Sequence, residues 1–179
     1  MIKSIVPYTV LFFYIYAVPF VFLPVSTRVL FGVFGFLILI IEILQHKIKL
    51  KLNKRLVYFL VLLLLIPFVA LISIGINQTS DIEFIKYPIS MITILFASYF
   101  VIRVLNRFYN KLDFQNVSLL IVNVILIQSI IAFVMFLIPE LRDFLLGIQR
   151  LSPDDIERMS DFFEFRIIGF GIMFFGAGV

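Results

Sequence analysis

The chain has 179 residues, 63% of them hydrophobic and 15% charged, where an average soluble domain has about a quarter charged. Fifteen Lys and Arg against eleven Asp and Glu leave a formal charge of +4, with one histidine and no cysteine. These figures exclude an ordinary soluble domain, a disulfide framework, a thiolate nucleophile and a histidine metal cluster. Because the basic residues bunch at the ends of apolar runs, they mark membrane topology and not nucleic-acid affinity, so no nucleic-acid partner is expected.

The apolar runs predict an all-α, polytopic helical membrane protein forming one domain over 1–179. Spans are expected at 5–23, 29–44, 56–74, 87–105 and 117–138, with an incomplete sixth at 167–179. The first is rich in aromatics (Tyr8, Phe12, Phe13, Tyr14, Tyr16, Phe20) and is followed by a short Pro24-Ser26-Thr27 turn before Arg28. It is not a signal peptide, since the Pro19-to-Pro24 stretch offers no small-residue cleavage site. In the second span Gly32 and Gly35 allow a neighbouring backbone to come close, and Glu42, at its end, suits a structural ion pair.

The link 45–55 carries five Lys and Arg and no acid, which places it in the cytoplasm, where its alternating basic and apolar residues suit an anionic leaflet. Pro67 predicts a kink in the third span. The next link holds Asp81 and Glu83 and an Asn77-Gln-Thr79 glycosylation acceptor pattern, and reads as external. Arg103 and Arg107 close the fourth span as snorkelling anchors. In the fifth, Asn123 and Gln128 either make interhelical hydrogen bonds or line a polar cavity. The resulting topology has a cytoplasmic N-terminus and puts 140–166, with seven acids and four arginines, outside.

That polar segment predicts two short amphipathic helices. The first carries Leu141, Phe144, Leu145 and Ile148 on one face; the second starts at Ser152-Pro153-Asp154-Asp155, with Ser as cap, Pro at the first position and acids in the first turn. The hairpin is either a solvated cover for the bundle or a site. Its arginines, Arg142, Arg150, Arg158 and Arg166, favour a site, because external cations run against the topology rule and a guanidinium fork matches phosphate or carboxylate. Arg166, at the mouth of the last apolar run, is either an anchor or a contact for an anionic ligand; Glu164, two residues away, does not face it on a helix. The final run, 167–179, makes about 20 Å of helix against a hydrocarbon core of about 30 Å, so the span is expected to continue in a longer protein.

Three features together carry a resemblance: the aromatic-rich early spans with tiny loops, the basic Lys47-to-Arg55 link, and Glu164-Phe-Arg166-Ile-Ile-Gly169-Phe170 opening a glycine-rich span. The chain resembles the N-terminal half of bacterial polysaccharide polymerases of the O-antigen polymerase and ligase superfamily. The resemblance implies a multi-pass protein of the bacterial cytoplasmic (inner) membrane, made for O-antigen or capsule biosynthesis. It implies a glycosyltransferase reaction in which an undecaprenyl-diphosphate-linked glycan is the donor, with no nucleotide sugar, metal or other cofactor. The implied partners are the lipid bilayer, that lipid-linked glycan and other polysaccharide assembly proteins. By position Arg166 is then the catalytic contact to the departing diphosphate, while Arg142, Arg150, Arg158 and Glu164 bind substrate. The family's later external loop lies beyond these residues. No general base is nominated; Glu140, Asp161 and Glu164 are candidates, and the chain alone is expected to be inactive.

Two other functions fit the same sequence. A transporter or flippase for a lipid-linked substrate would use the arginines for phosphate and Pro67, Asn123 and Gln128 in a broken-helix cavity, although no ionisable residue sits mid-span. A non-enzymatic membrane scaffold would use 140–166 to dock another protein.

Overall fold

The computed structural model describes residues 2–45, 53–78, 83–109, 112–151 and 170–171. Among these lie six helices: α1 (Ile2–Tyr16), α2 (Thr27–Leu44), α3 (Lys54–Asn77), α4 (Glu83–Phe108), α5 (Phe114–Leu137) and α6 (Pro139–Gly147). There is no strand among the described residues, only an isolated antiparallel bridge between Phe20 and Gln149. The expectation of an all-helical membrane protein holds in that form. Four helices, α2 to α5, are long and apolar enough to cross a membrane.

The first expected span is not among them: against the helix expected over 5–23, α1 stops at Tyr16. The reason is Pro19, which has no N–H to continue the ladder and pushes the residue before it, Val18, out of helical geometry. The turn is made at Ala17, whose φ of +47° is unusual for a residue with a side chain. From Ala17 to Ser26 the chain is non-helical; its first part, Ala17, Val18 and Pro19, is buried, while Val21, Phe22 and Pro24 are exposed. Pro67, by contrast, lies within a continuous α3, and the incomplete sixth span is outside the described residues except for Phe170 and Gly171.

α2 and α4 form the closest pair. Gly32 faces Thr93, Gly35 faces Phe96 and Glu42 reaches Arg103, so each partner lies 61 residues further along the chain. A constant offset of that sign requires the two helices to run parallel. The glycines make it possible: a Cβ on Gly32 would sit 2.8 Å from Thr93 Cγ2, and one on Gly35 would run into the Phe96 carbonyl oxygen. Where lipid already solvates apolar side chains, close backbone approach rather than hydrophobic burial drives such pairing. Phe31 and Phe34 pack their rings on Phe100, and Phe36 on Phe96, along the same seam.

α3 joins α4 through a short link and packs beside it, burying Leu63 and Ala70 on one stripe and leaving most of its described apolar residues exposed, as a lipid-facing helix does. On the other side α1 lies against α4, α2 and α5. α5 starts at Asp113, whose carboxylate accepts the Asn116 N–H at 2.8 Å as an N-cap. The core runs through Leu11, Tyr16, Val18, Val101, Leu105, Leu120, Val124, Met135 and Phe170. α6, starting with Pro139 at its first turn, matches the first expected amphipathic helix, with Leu145, Leu146 and Ile148 against this core. Phe144, expected on that face, is exposed. The second expected helix, from Ser152, lies outside the described residues.

Gly35→Ala should therefore force α2 off α4 and cost at least about 1–3 kcal/mol, the range for overpacking a tight contact, seen as a lower Tm and less folded protein in detergent. Gly75→Ala, on α3 with no neighbour within 4 Å of an added Cβ, should leave both unchanged or slightly improved.

Candidate functional site

Ending α1 at Tyr16 leaves carbonyl groups without helical partners, and in apolar surroundings each must find a donor. The start of α2 supplies them. Arg28 Nε donates to Tyr14 O at 2.9 Å and Arg28 Nη2 to Ile15 O at 2.5 Å, while Thr27 Oγ1 adds a second bond, at 2.8 Å, to Phe13 O, which already accepts the Ala17 N–H at 3.2 Å. The Thr27 N–H donates to Val18 O at 3.1 Å, closing the 17–26 segment on itself. Arg28 also lies over the Tyr14 ring, 5.9 Å from its centroid, and the Tyr14 hydroxyl shares a 2.6 Å hydrogen bond with Ser98 of α4. A cation at a helix C-terminus is favoured by the helix dipole as well as by these bonds.

Two later pieces of chain dock on the same break. After α6, the Val21 N–H donates to Ile148 O at 3.0 Å and the Arg150 N–H to Pro19 O at 2.6 Å, on either side of the Phe20–Gln149 bridge. Gln149 is buried and donates to Leu145 O. Then Phe170, 7% exposed, inserts its ring near Phe12 and Phe20, both at 6.4 Å between centroids. Gly171, with φ +118°, lies against Tyr16, where a Cβ would come within 2.6 Å of the Tyr16 carbonyl oxygen. Only glycine accepts both the dihedral and the contact. Gln128 of α5, 2% exposed, completes the corner, donating from Nε2 to Phe170 O at 2.8 Å; its Oε1 has no hydrogen-bond partner among the described residues.

The arginines expected to bind substrate fare differently. Arg142 is half-buried on α6, with Nε 3.2 Å from Asp143 Oδ1. Arg150 is held by its backbone to Pro19 and exposes its side chain at the rim of the break. Glu140 is exposed in the first turn of α6. Arg158, Asp161, Glu164 and Arg166 lie outside the described residues. Residues that sequence reasoning passed over are Thr27 and Arg28, treated as a turn. The signal that would have found them is Pro19: a helix ended there must be capped from elsewhere.

A second polar cluster lies toward the opposite end of α2. Glu42 Oε2 accepts from Arg103 Nη2 at 2.6 Å and from the Tyr99 hydroxyl, and Arg103 also donates to the Tyr99 oxygen at 3.1 and 3.2 Å. The Arg103 guanidinium stands 5.3 Å from the Tyr99 ring centroid. The ion pair expected for Glu42 is thus present, but with a helix partner; Arg103 is not simply a snorkelling anchor. Asn123 makes the interhelical contact expected of it, 3.5 Å from Tyr8 Oη on α1.

Comparison with protein-family models, curated proteins and solved structures returns no match.

Two measurements check this geometry. A double-mutant cycle of Glu42→Gln and Arg103→Gln should show coupling of about 1 kcal/mol, since the pair is partly shielded (side chains 19% and 37% exposed) yet not fully desolvated; additivity would mean the pair is inert. Because the chain has no cysteine, Phe170→Cys offers a single thiol. It should label slowly with maleimide, and several-fold faster when Gln128→Leu removes the bond to its carbonyl.

Proposed function

We propose that the chain polymerises or ligates polyisoprenoid-diphosphate-linked oligosaccharide repeats at the outer face of a bacterial cytoplasmic membrane, as part of a polysaccharide polymerase. In this reading the break in α1 faces outward and the basic 45–55 link faces the cytoplasm. One observation carries the reading. The segment holding Arg158, Glu164 and Arg166 leaves the described structure at Leu151 and re-enters at Phe170, and both ends are fastened to the same break: one through Arg150 and Pro19, the other through Phe170, Gln128 and Tyr16. A segment fastened at both ends to a helix bundle is a way for a membrane protein to hold polar groups over a lipid-borne substrate without letting unpaired backbone into hydrocarbon.

Arg166 is then placed by its motif four residues before the anchored Phe170, and serves the departing diphosphate, on which negative charge grows as the glycan transfers. Arg150 and Arg142 contribute positive charge at the rim. Asn123 and Gln128, which a transporter cavity would need, are engaged with Tyr8 and Phe170, and this favours the polymerase over the flippase.

The test is Arg166→Ala in the protein as it is expressed in its membrane, with membrane abundance checked first. Transition-state donors of this kind are worth about 10²–10³ in rate, so surface glycan should collapse to short chains, with partial recovery in Arg166→Lys. Glycan of normal length at normal protein abundance would overturn the reading.

A further inference from the structure

A guanidinium has five N–H donors in a planar fork. Arg28 uses two of them, Nε and one on Nη2, along a single edge of the plane, on Tyr14 O and Ile15 O. Among the described residues nothing bonds the other edge, Nη1 with the second Nη2 hydrogen, and no carboxylate pairs with Arg28. The contrast is with Arg103 and Arg142, each of which lies on an acid. The α1 terminus offers Arg28 only the partial negative charge of a helix end, about half an elementary charge.

Arg28 is therefore a half-buried cation, rigidly held by two carbonyls and an aromatic ring, with a free bidentate edge and no full counter-charge. Rigidity matters here, because a guanidinium locked in place loses little entropy on binding two oxygens of one anion. A lone positive charge beside apolar surroundings is costly unless an anion shares the site.

We propose that Arg28 binds a phosphate group through its free Nη1–Nη2 edge, at the corner where α1 breaks and α2 begins. The phosphate chemistry follows from Arg28 itself; the choice of a lipid-borne diphosphate as its source rests on the function proposed above. That source suits a cation next to the membrane-embedded end of α1, with the substrate's polyisoprenoid tail left in the bilayer.

The probes are farnesyl diphosphate, farnesol and inorganic pyrophosphate, added to the purified chain in neutral detergent, with Tm and equilibrium binding as readouts. Farnesyl diphosphate should raise Tm in a concentration-dependent way; farnesol should not, and pyrophosphate should do so only at much higher concentration. Arg28→Lys keeps the charge but loses the fork, and should bind farnesyl diphosphate about tenfold more weakly; Arg28→Gln should abolish the shift. Thr27→Val removes the neighbouring cap while sparing the guanidinium, so it should lower the starting Tm and keep the shift. If Arg28→Gln does not fold, Arg28→Lys decides. No shift in the wild type, or an undiminished shift in Arg28→Lys, overturns the proposal, leaving Arg28 a helix cap. Equal response to pyrophosphate keeps the phosphate site and overturns the lipid-borne source. The Arg166 glycan assay is read independently, so a failed Arg28 site and a failed polymerase reading give different results.

Discussion

Everything at one end of this bundle depends on satisfying the carbonyls exposed where α1 stops. A chain surrounded by hydrocarbon cannot leave backbone polar groups to water, and an unpaired carbonyl costs on the order of 1–3 kcal/mol or more. Arg28 meets that demand from the first turn of α2 for Tyr14 and Ile15, and Thr27 beside it adds a second bond to the Phe13 carbonyl. Once they do, the 17–26 segment is pinned, and it can offer its own backbone to Ile148 and Arg150. Phe170 and Gly171 then close over the remaining carbonyl of Tyr16. The segment most exposed to the penalty has become the place where three distant parts of the chain meet.

The opposite demand governs α2 and α4. There the apolar faces gain nothing by leaving lipid, so the pair must be held by approach distance and by polar bonds. Gly32 and Gly35 bring the backbones together in the upper half of the seam, and Glu42 with Tyr99 and Arg103 locks the lower end. Because all of these contacts share one register, the two devices reinforce each other. α2 thus carries a fixed arginine at its start and a neutralised acid near its end. The difference between Arg28 and Arg103 is local charge balance, since one guanidinium meets carbonyl dipoles and the other meets a carboxylate.

Much of this was legible in the residues. Apolar runs separated by charged links define the membrane helices, since only lengths near 20 residues both span the core and pair their own backbone. The glycines of the second run announce a close neighbour, and an acid at a helix end announces a pair. Pro139 starts a short amphipathic helix where the pattern of Leu145 and Ile148 predicts one. The end of α1 is not legible in the same way, because hydropathy over 5–23 is uninterrupted and the conformational limit set by Pro19 does not register as polarity.

By itself, then, the sequence determined that the chain is helical and membrane-embedded, and which residues lie at span ends, because both follow from local composition and backbone pairing. Only the tertiary structure decided which partner each polar group takes. Glu42 meets Arg103 of α4; Gln128 meets a carbonyl from beyond the polar segment; and Arg28, in what read as a plain turn, caps a helix it does not belong to. Those choices rest on pairings between residues far apart in the chain, such as Tyr8 with Asn123, 115 positions away, which no local pattern encodes.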